Sequence, residues 1–142
     1  MFRLFSKLGG WLMPFPFWLP SLGRQGEYLA IRYLRRKGYY LVARNIHQGK
    51  SEIDLVMCNA REVVVVEVKA RKPAGEPRRI HELVRHDQKQ RLLNAGETYL
   101  QSKKWHQQPH RFLLIYILFK SEGSSGKRRT LFPEHQIYLS DL

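Results

Sequence analysis

Residues 62–69 read EVVVVEVK, and this stretch decides the fold of the chain. Its four consecutive valines predict a β-strand that is buried on both faces, because β-branched side chains favour extended backbone and a half-exposed strand would alternate with polar residues. Side chains alternate along a strand, so Glu67 and Lys69 leave the strand end on the same face. Two interpretations of this pair are equally open: a functional site, or a strand end that emerges into solvent with an ordinary ion pair.

The segments around this strand predict one mixed α/β domain over residues 22–142. Helices are predicted at residues 22–37, just before Gly38, and at residues 80–102, after a basic loop at 72–79. The predicted strands are 39–45, 52–58, 62–69, 111–119 and 136–139. This order is not a repeated strand–helix–strand series, so we expect an α/β fold in which helices flank a mixed sheet.

Residues 1–21 are predicted to form a flexible, apolar and basic arm in front of the domain. The stretch superficially resembles a signal peptide, but Pro14, Pro16 and Pro20 interrupt any helix and no small-residue cleavage site follows. Its uncharged run is also shorter than the ~20 residues of a membrane-spanning helix. We expect the arm to lie on the domain or to touch a membrane surface.

The charge of the chain predicts a polyanionic partner. Lys and Arg number 25 against 12 Asp and Glu, a formal net charge of +13. Nucleic acid is the first expectation, because Lys and Arg neutralise its phosphates. An anionic membrane surface is the second, and a basic protein without such a partner is the third. The single cysteine, Cys58, excludes an intramolecular disulfide and a zinc site made of several cysteines. It suits a reducing compartment, and we expect a cytoplasmic protein.

Asp54 and Glu67 are predicted to converge. Asp54 stands between two apolar residues of the predicted strand 52–58, and a turn near Asn59 brings it to within a couple of positions of Glu67. Two carboxylates at one point repel each other unless a cation or a proton joins them. Mg²⁺ or Mn²⁺ binds oxygen ligands and is the kind of cation that phosphodiester chemistry uses.

Glu27 is a third candidate carboxylate. It shares a helical face with Ala30, Ile31 and Leu34, which should pack on the sheet. A carboxylate on that face is out of place unless it points at positive charge. The alternative is that Glu27 only interacts favourably with the dipole at the helix N-terminus.

These residues resemble a known family over roughly residues 22–119. The matching positions are Gly26, Glu27, Asn45, the run SEIDLV at 51–56, the run VEVKAR at 66–71, and Lys89. The segments resemble the YraN-like family of bacterial proteins (uncharacterised protein family 0102). That family is assigned to the PD-(D/E)xK restriction-endonuclease-like superfamily and is similar to archaeal Holliday-junction resolvases. Two positions depart from its pattern: Ser51 where the family usually has Gly, and Leu113 where it usually has Asp.

The resemblance implies catalytic roles for Glu27, Asp54, Glu67 and Lys69. Asp54 and Glu67 would be ligands of Mg²⁺ or Mn²⁺, with Glu27 as a further acidic partner, direct or through water. Lys69 would orient the attacking water or stabilise charge on the phosphate. The residues expected to bind nucleic acid are Arg35, Arg36, Arg71 and Lys89.

The function implied by the resemblance is that of a Mg²⁺-dependent endonuclease acting on DNA, with branched or structured DNA as one substrate class. The alternative is a non-catalytic nucleic-acid-binding protein on the same fold, because a superfamily fold does not fix an activity. A membrane-surface protein that uses the arm and a basic face is the third hypothesis. A homodimer is compatible with all three.

Overall fold

The computed structural model describes residues 21–72, 86–120 and 135–142. Its elements, in chain order, are α1 (Leu22–Arg36), β1 (Tyr40–Gln48), β2 (Ser51–Cys58), β3 (Val63–Arg71), α2 (His86–Ser102), β4 (His110–Phe119) and β5 (His135–Asp141). The predictions for the arm up to residue 20, for loop residues 73–79 and for helix residues 80–85 lie outside this part of the chain. Neither α1 nor α2 is long and apolar enough to span a lipid bilayer.

The five strands form one mixed sheet in the order β1-β2-β3-β4-β5. Pairing is antiparallel throughout except between β3 and β4, which run parallel. A parallel pair needs a long crossover connection, and the segment that contains α2 supplies it. The predicted α/β fold, a mixed sheet flanked by helices, is confirmed, and the arrangement is consistent with a restriction-endonuclease-like fold.

β3 is the centre of the sheet, as its valines predict. None of residues 63–66 is more than 2% exposed. Val64 and Val66 belong to the core on the α1 side, whereas Val63 and Val65 belong to the core on the α2 side. Full burial of such a side chain contributes about 1.5–3 kcal/mol. Leu113, which departs from the family pattern, is 1% exposed in the α1-side core, so an apolar residue suits that position.

α1 lies against the end of β3 at a point where only glycine fits. A Cβ atom at Gly26 would be 2.7 Å from the Cβ of Ala70. Close-packed interiors do not accommodate such an overlap, so the absence of a side chain lets the helix backbone approach the strand. This close approach brings the next residue, Glu27, to the end of β3. Ser21 caps the start of the helix by accepting a hydrogen bond from the backbone N–H of Arg24 at 3.4 Å.

β1 is longer than the sequence predicted, and it forms a hairpin with β2. β1 continues beyond residue 45 to Gln48, and the chain turns through Gly49 and Lys50, with Gly49 at a φ of +60°. The predicted end at 45 was wrong because residues 46–48 pair with β2 through their backbone, whatever the polarity of their side chains. The longer hairpin places its turn beside the end of β3.

Candidate active site

Glu67 is the buried carboxylate at the end of β3. It is 7% exposed and is the only charged side chain classed as buried among residues 21–72, 86–120 and 135–142. The ammonium group of Lys69 donates a hydrogen bond to its Oε1 and forms an ion pair with it. A buried charge is costly unless it is paired and hydrogen-bonded. The pair is therefore not a solvent-exposed ion pair at the end of a strand, and its functional role stays a prediction.

Asp54 reaches the same end of β3 from β2. The ladder between the two strands runs from Cys58–Val63 to Leu55–Val66, so Asp54 and Glu67 are the next residues beyond its last pair. Asp54 accepts a hydrogen bond through Oδ2 from the backbone N–H of Val68 at 2.6 Å. Its carboxylate thus takes the place of a backbone acceptor and is fixed beside Glu67.

The pKa of Asp54 is raised by its burial and by the charges around it. It is raised from its usual value of 3.8 to about 7, first by burial and then by the negative charge of Glu67. The hydrogen bond from Val68 opposes the rise, Glu27 adds to it, and Lys69 lowers the pKa again. Without a cation, the cluster therefore retains a proton on Asp54 up to about neutral pH.

Glu27 reaches this group from α1. Burial raises its pKa, the positive charge of Arg44 lowers it, and the negative charge of Glu52 raises it. The side chain of Asn45 is hydrogen-bonded to Glu27 and also lowers the pKa. Glu27 is thus held between cationic and polar groups of the hairpin.

The hairpin is irregular where Asn45 stands opposite Asp54. Asn45 has a φ of 50°, in the left-handed region that Asn tolerates better than most residues. Ile53 and Val56 pack into the same α2-side core although they are three residues apart, which strict alternation would not allow. Because of this irregularity, the side chains of β2 on its two sides do not follow one continuous alternation between the faces of the sheet. Asn45 was noted in the sequence only as part of the family pattern, and its place in the site was missed.

A cavity of about 420 Å³ joins these residues into one site. All four predicted catalytic residues, Glu27, Asp54, Glu67 and Lys69, line it. The turn residue Lys50 and three residues of α2, Gln88, Arg91 and Leu92, also line the cavity. Gln88 donates a hydrogen bond to Oε1 of Glu67 at 3.3 Å.

The cations predicted to bind nucleic acid are not the ones that surround the cavity. Arg35 and Arg36 are exposed in the last turn of α1. Arg36 is nine residues from Glu27, or about 13 Å along the helix. Arg71 is exposed and donates to the carbonyl of Ala70 at 2.9 Å, and Lys89 is half-buried but does not line the cavity. Their binding role stays a prediction.

Four other cations lie at the cavity or act on the carboxylates that line it. Lys50 and Arg91 line it, and the charges of Arg24 and Arg44 act on Glu27. The sequence held a partial signal for the α2 residues, since Gln88, Arg91 and the buried Leu92 follow helical spacing of i, i+3 and i+4. For the hairpin cations no such pattern exists, because their place depends on the turn at Gly49.

The carboxylates fit a cation site with two protein carboxylates better than a closed cage. Within the described ranges, no group of three or more Asp, Glu, His or Cys side chains is arranged so that it could hold a metal ion. Mg²⁺ usually keeps several waters and binds through only one or two carboxylates. Asp54 and Glu67 suit that mode, because a divalent cation would relieve the repulsion that raises the pKa of Asp54.

The chain is similar in sequence to the proteins of one bacterial family. The model of the uncharacterised protein family UPF0102 matches residues 26–117, which include all four predicted catalytic residues. A UPF0102 protein of Chlorobium limicola is 35% identical over 98 residues, which is 69% of this chain and 75% of the relative. One from Porphyromonas gingivalis is 35% identical over 114 residues, covering 78% and 83% of the two chains. One from Pseudomonas aeruginosa is 35% identical over 107 residues, covering 75% and 84%. The name that these relatives share states no activity.

Proposed function

The chain belongs to the uncharacterised protein family UPF0102, and we propose that it is a Mg²⁺-dependent endonuclease of the PD-(D/E)xK type that acts on DNA. One observation carries the proposal: Asp54, Glu67 and Lys69 meet in one cavity at the end of β3. Two carboxylates beside an ammonium group suit metal-assisted hydrolysis of a phosphodiester. Burying two carboxylates and an ammonium group costs free energy, and a site that served only for packing would not need these charges.

In this proposal Asp54 and Glu67 hold the cation. When bound, Mg²⁺ would supply positive charge at the phosphate and lower the pKa of a water molecule. The N–H of Val68 already holds the carboxylate of Asp54 in one orientation, beside the carboxylate with which it would share the cation. Asp54 must first lose the proton that it retains near neutral pH.

Lys69 is the group that would act on the substrate. Its ammonium lies at the cavity wall, and its side chain is 18% exposed. From there it can stabilise the negative charge that develops on the phosphate oxygens or orient the attacking water. Glu27 supplies further negative charge to the site from α1.

The cations around the cavity would bind the DNA backbone on either side of the reacting phosphate. We define the rim as Arg24, Arg44, Lys50 and Arg91, which come from α1, β1, the hairpin turn and α2. All four residues are exposed. Contacts to phosphate position a duplex without reading its sequence, so the rim predicts binding that is strong at low salt and indifferent to sequence.

Cleavage assays test the proposal directly. Wild-type protein is incubated with linear, nicked and branched DNA and with RNA, in Mg²⁺ or Mn²⁺ and in EDTA. We expect cutting of DNA that requires the divalent cation, with branched or otherwise structured DNA as the preferred class. Asp54→Asn should abolish cutting, because it keeps the shape of the side chain but removes the charge that holds the cation.

A non-catalytic nucleic-acid-binding protein is the second candidate. It is favoured by the net charge of +13, which accounts for nucleic-acid binding without any chemistry. Such a protein would bind nucleic acid in a salt-dependent manner, with equal affinity in Mg²⁺ and in EDTA. Affinity that is unchanged by Asp54→Asn, together with no cutting of any substrate, would favour it.

A further inference from the structure

Gln88 makes a contact in the site that the sequence did not suggest. It lies in the first turn of α2, and its Nε2 donates to Oε1 of Glu67 at 3.3 Å. The ammonium of Lys69 donates to the same oxygen. Glu67 is therefore held by one charged donor from its own strand and one neutral donor from a helix, while its Oε2 receives neither bond.

Lys69 has two tasks that conflict. In the cation-free protein it neutralises the buried Glu67, yet in the reaction it must turn its charge to the phosphate or the water. A buried carboxylate without a donor is strongly penalised. If Lys69 were the only donor, Glu67 would lose its orientation whenever Lys69 turned away.

We propose that Gln88 is a positioning residue that keeps Glu67 oriented towards the cavity when Lys69 leaves it for the substrate. The inference rests on the proposed function and names a residue that acts through Glu67. An amide suits this task because it donates a hydrogen bond without bringing a charge that would compete with a cation. Groups that orient a metal-binding carboxylate commonly change the metal affinity or the activity 10–100-fold when removed.

The packing of α2 on the sheet fixes the position of Gln88. Leu92, one helical turn further on, is 4% exposed and packs in the α2-side core with Val65 of β3. Residues four apart share one face of a helix, so the packing of Leu92 sets the direction of Gln88 towards β3. Arg91, which lies on the same part of α2, forms an ion pair with Asp87 at 3.1 Å.

The same helix offers a matched control. Gln90 is exposed and donates through its Nε2 to Asn94 at 3.1 Å, away from Glu67. Gln88→Met and Gln90→Met make the same chemical change two residues apart, and Met keeps the length of the side chain and the helix propensity while it removes the donor. Gln88→Ala adds a second test of the same bond with a different shape.

The measurement is the affinity for Mn²⁺ by calorimetry on the metal-depleted full chain, with urea unfolding as a parallel readout. We expect Gln88→Met and Gln88→Ala to weaken Mn²⁺ binding by about 10–100-fold. Gln90→Met should bind as wild type does, and the unfolding midpoints of the two Met variants should agree. In cleavage assays Gln88→Met should lower kcat with little change in KM, because the DNA contacts of the rim are intact.

The outcomes separate this inference from the proposed function. Wild-type affinity for Mn²⁺ in both Gln88 variants would overturn the role of Gln88 and leave the nuclease proposal standing. An equal loss in Gln90→Met would also overturn it, because the effect would then belong to the helix and not to the bond. No Mn²⁺ binding by the wild-type protein would overturn the cation site and this inference together.

Discussion

The substitution Asp54→Asn should make the cation-free protein more stable at neutral pH, although it changes a residue at the centre of the site. The pKa of Asp54 is about 7 in the folded protein, against a usual value of 3.8. Between these values the unfolded chain has lost the proton that the folded protein still holds. The stability linked to Asp54 is therefore complete below about pH 4 and is lost as the pH rises to about 7.

The size of the effect follows from the difference in pKa. Each unit corresponds to about 1.4 kcal/mol, so a difference of about three units gives an upper limit of about 4 kcal/mol. Asp54 borders an open cavity, and water there screens the charges, so we expect about half of this, ~2 kcal/mol. Asn carries no charge and can still accept the hydrogen bond from Val68.

Urea unfolding in EDTA between pH 4.5 and 8 measures this difference. The advantage of Asp54→Asn over wild type should grow with pH and level off above about pH 7. Asp141→Asn is the control, because it makes the same change at an exposed side chain of β5 that does not line the cavity. A stability difference that is constant with pH, or an Asp54→Asn protein that is less stable than wild type at pH 8, would refute the reasoning.

Further predictions concern the cation, the lysine and the rim. The affinity of the wild-type protein for Mg²⁺ should rise by up to tenfold per pH unit towards pH 7 and stay constant above it, because the cation binds only ionised Asp54. Binding titrations at several pH values measure this dependence. Lys69→Ala should abolish DNA cleavage but still bind Mn²⁺, and a cleavage assay combined with calorimetry measures both properties. Loss of Mn²⁺ binding as well would mean that Lys69 is needed to hold the cation. Neutralising Arg24 and Lys50 together should weaken DNA binding and reduce its salt dependence by about two charges. Neutralising Arg35 and Arg36 should change both quantities less. A larger effect of Arg35 and Arg36 would show that the rim does not bind the DNA.

The central strand could be predicted because its signal is local. Four β-branched residues in a row favour a buried strand wherever the chain places it, and Val63–Val66 are buried as expected. The convergence of Asp54 and Glu67 was equally accessible, because one short turn fixes how two adjacent strands pair. These features need only neighbouring residues of the sequence.

The residues around the carboxylates could not be predicted in the same way. Gln88 and Arg91 reach the cavity because α2 packs on β3, a contact that no local pattern specifies. Asn45 takes a left-handed conformation and acts on the pKa of Glu27, and that second role requires α1 and the hairpin to come together. Arg35 and Arg36 are predicted to bind nucleic acid from their charge, and charge alone does not say which end of a helix meets the cavity, so their role stays a prediction.

Cleavage of branched DNA by wild type and Asp54→Asn, in Mg²⁺ and in EDTA, tests the central claim most directly. The account predicts cutting only by wild type and only with the divalent cation, while both proteins are folded. It also predicts that Asp54→Asn retains much of its affinity for DNA, because the rim is unchanged. Cutting by Asp54→Asn at the wild-type rate, or no cutting of any DNA by wild type in Mg²⁺ or Mn²⁺, would contradict it.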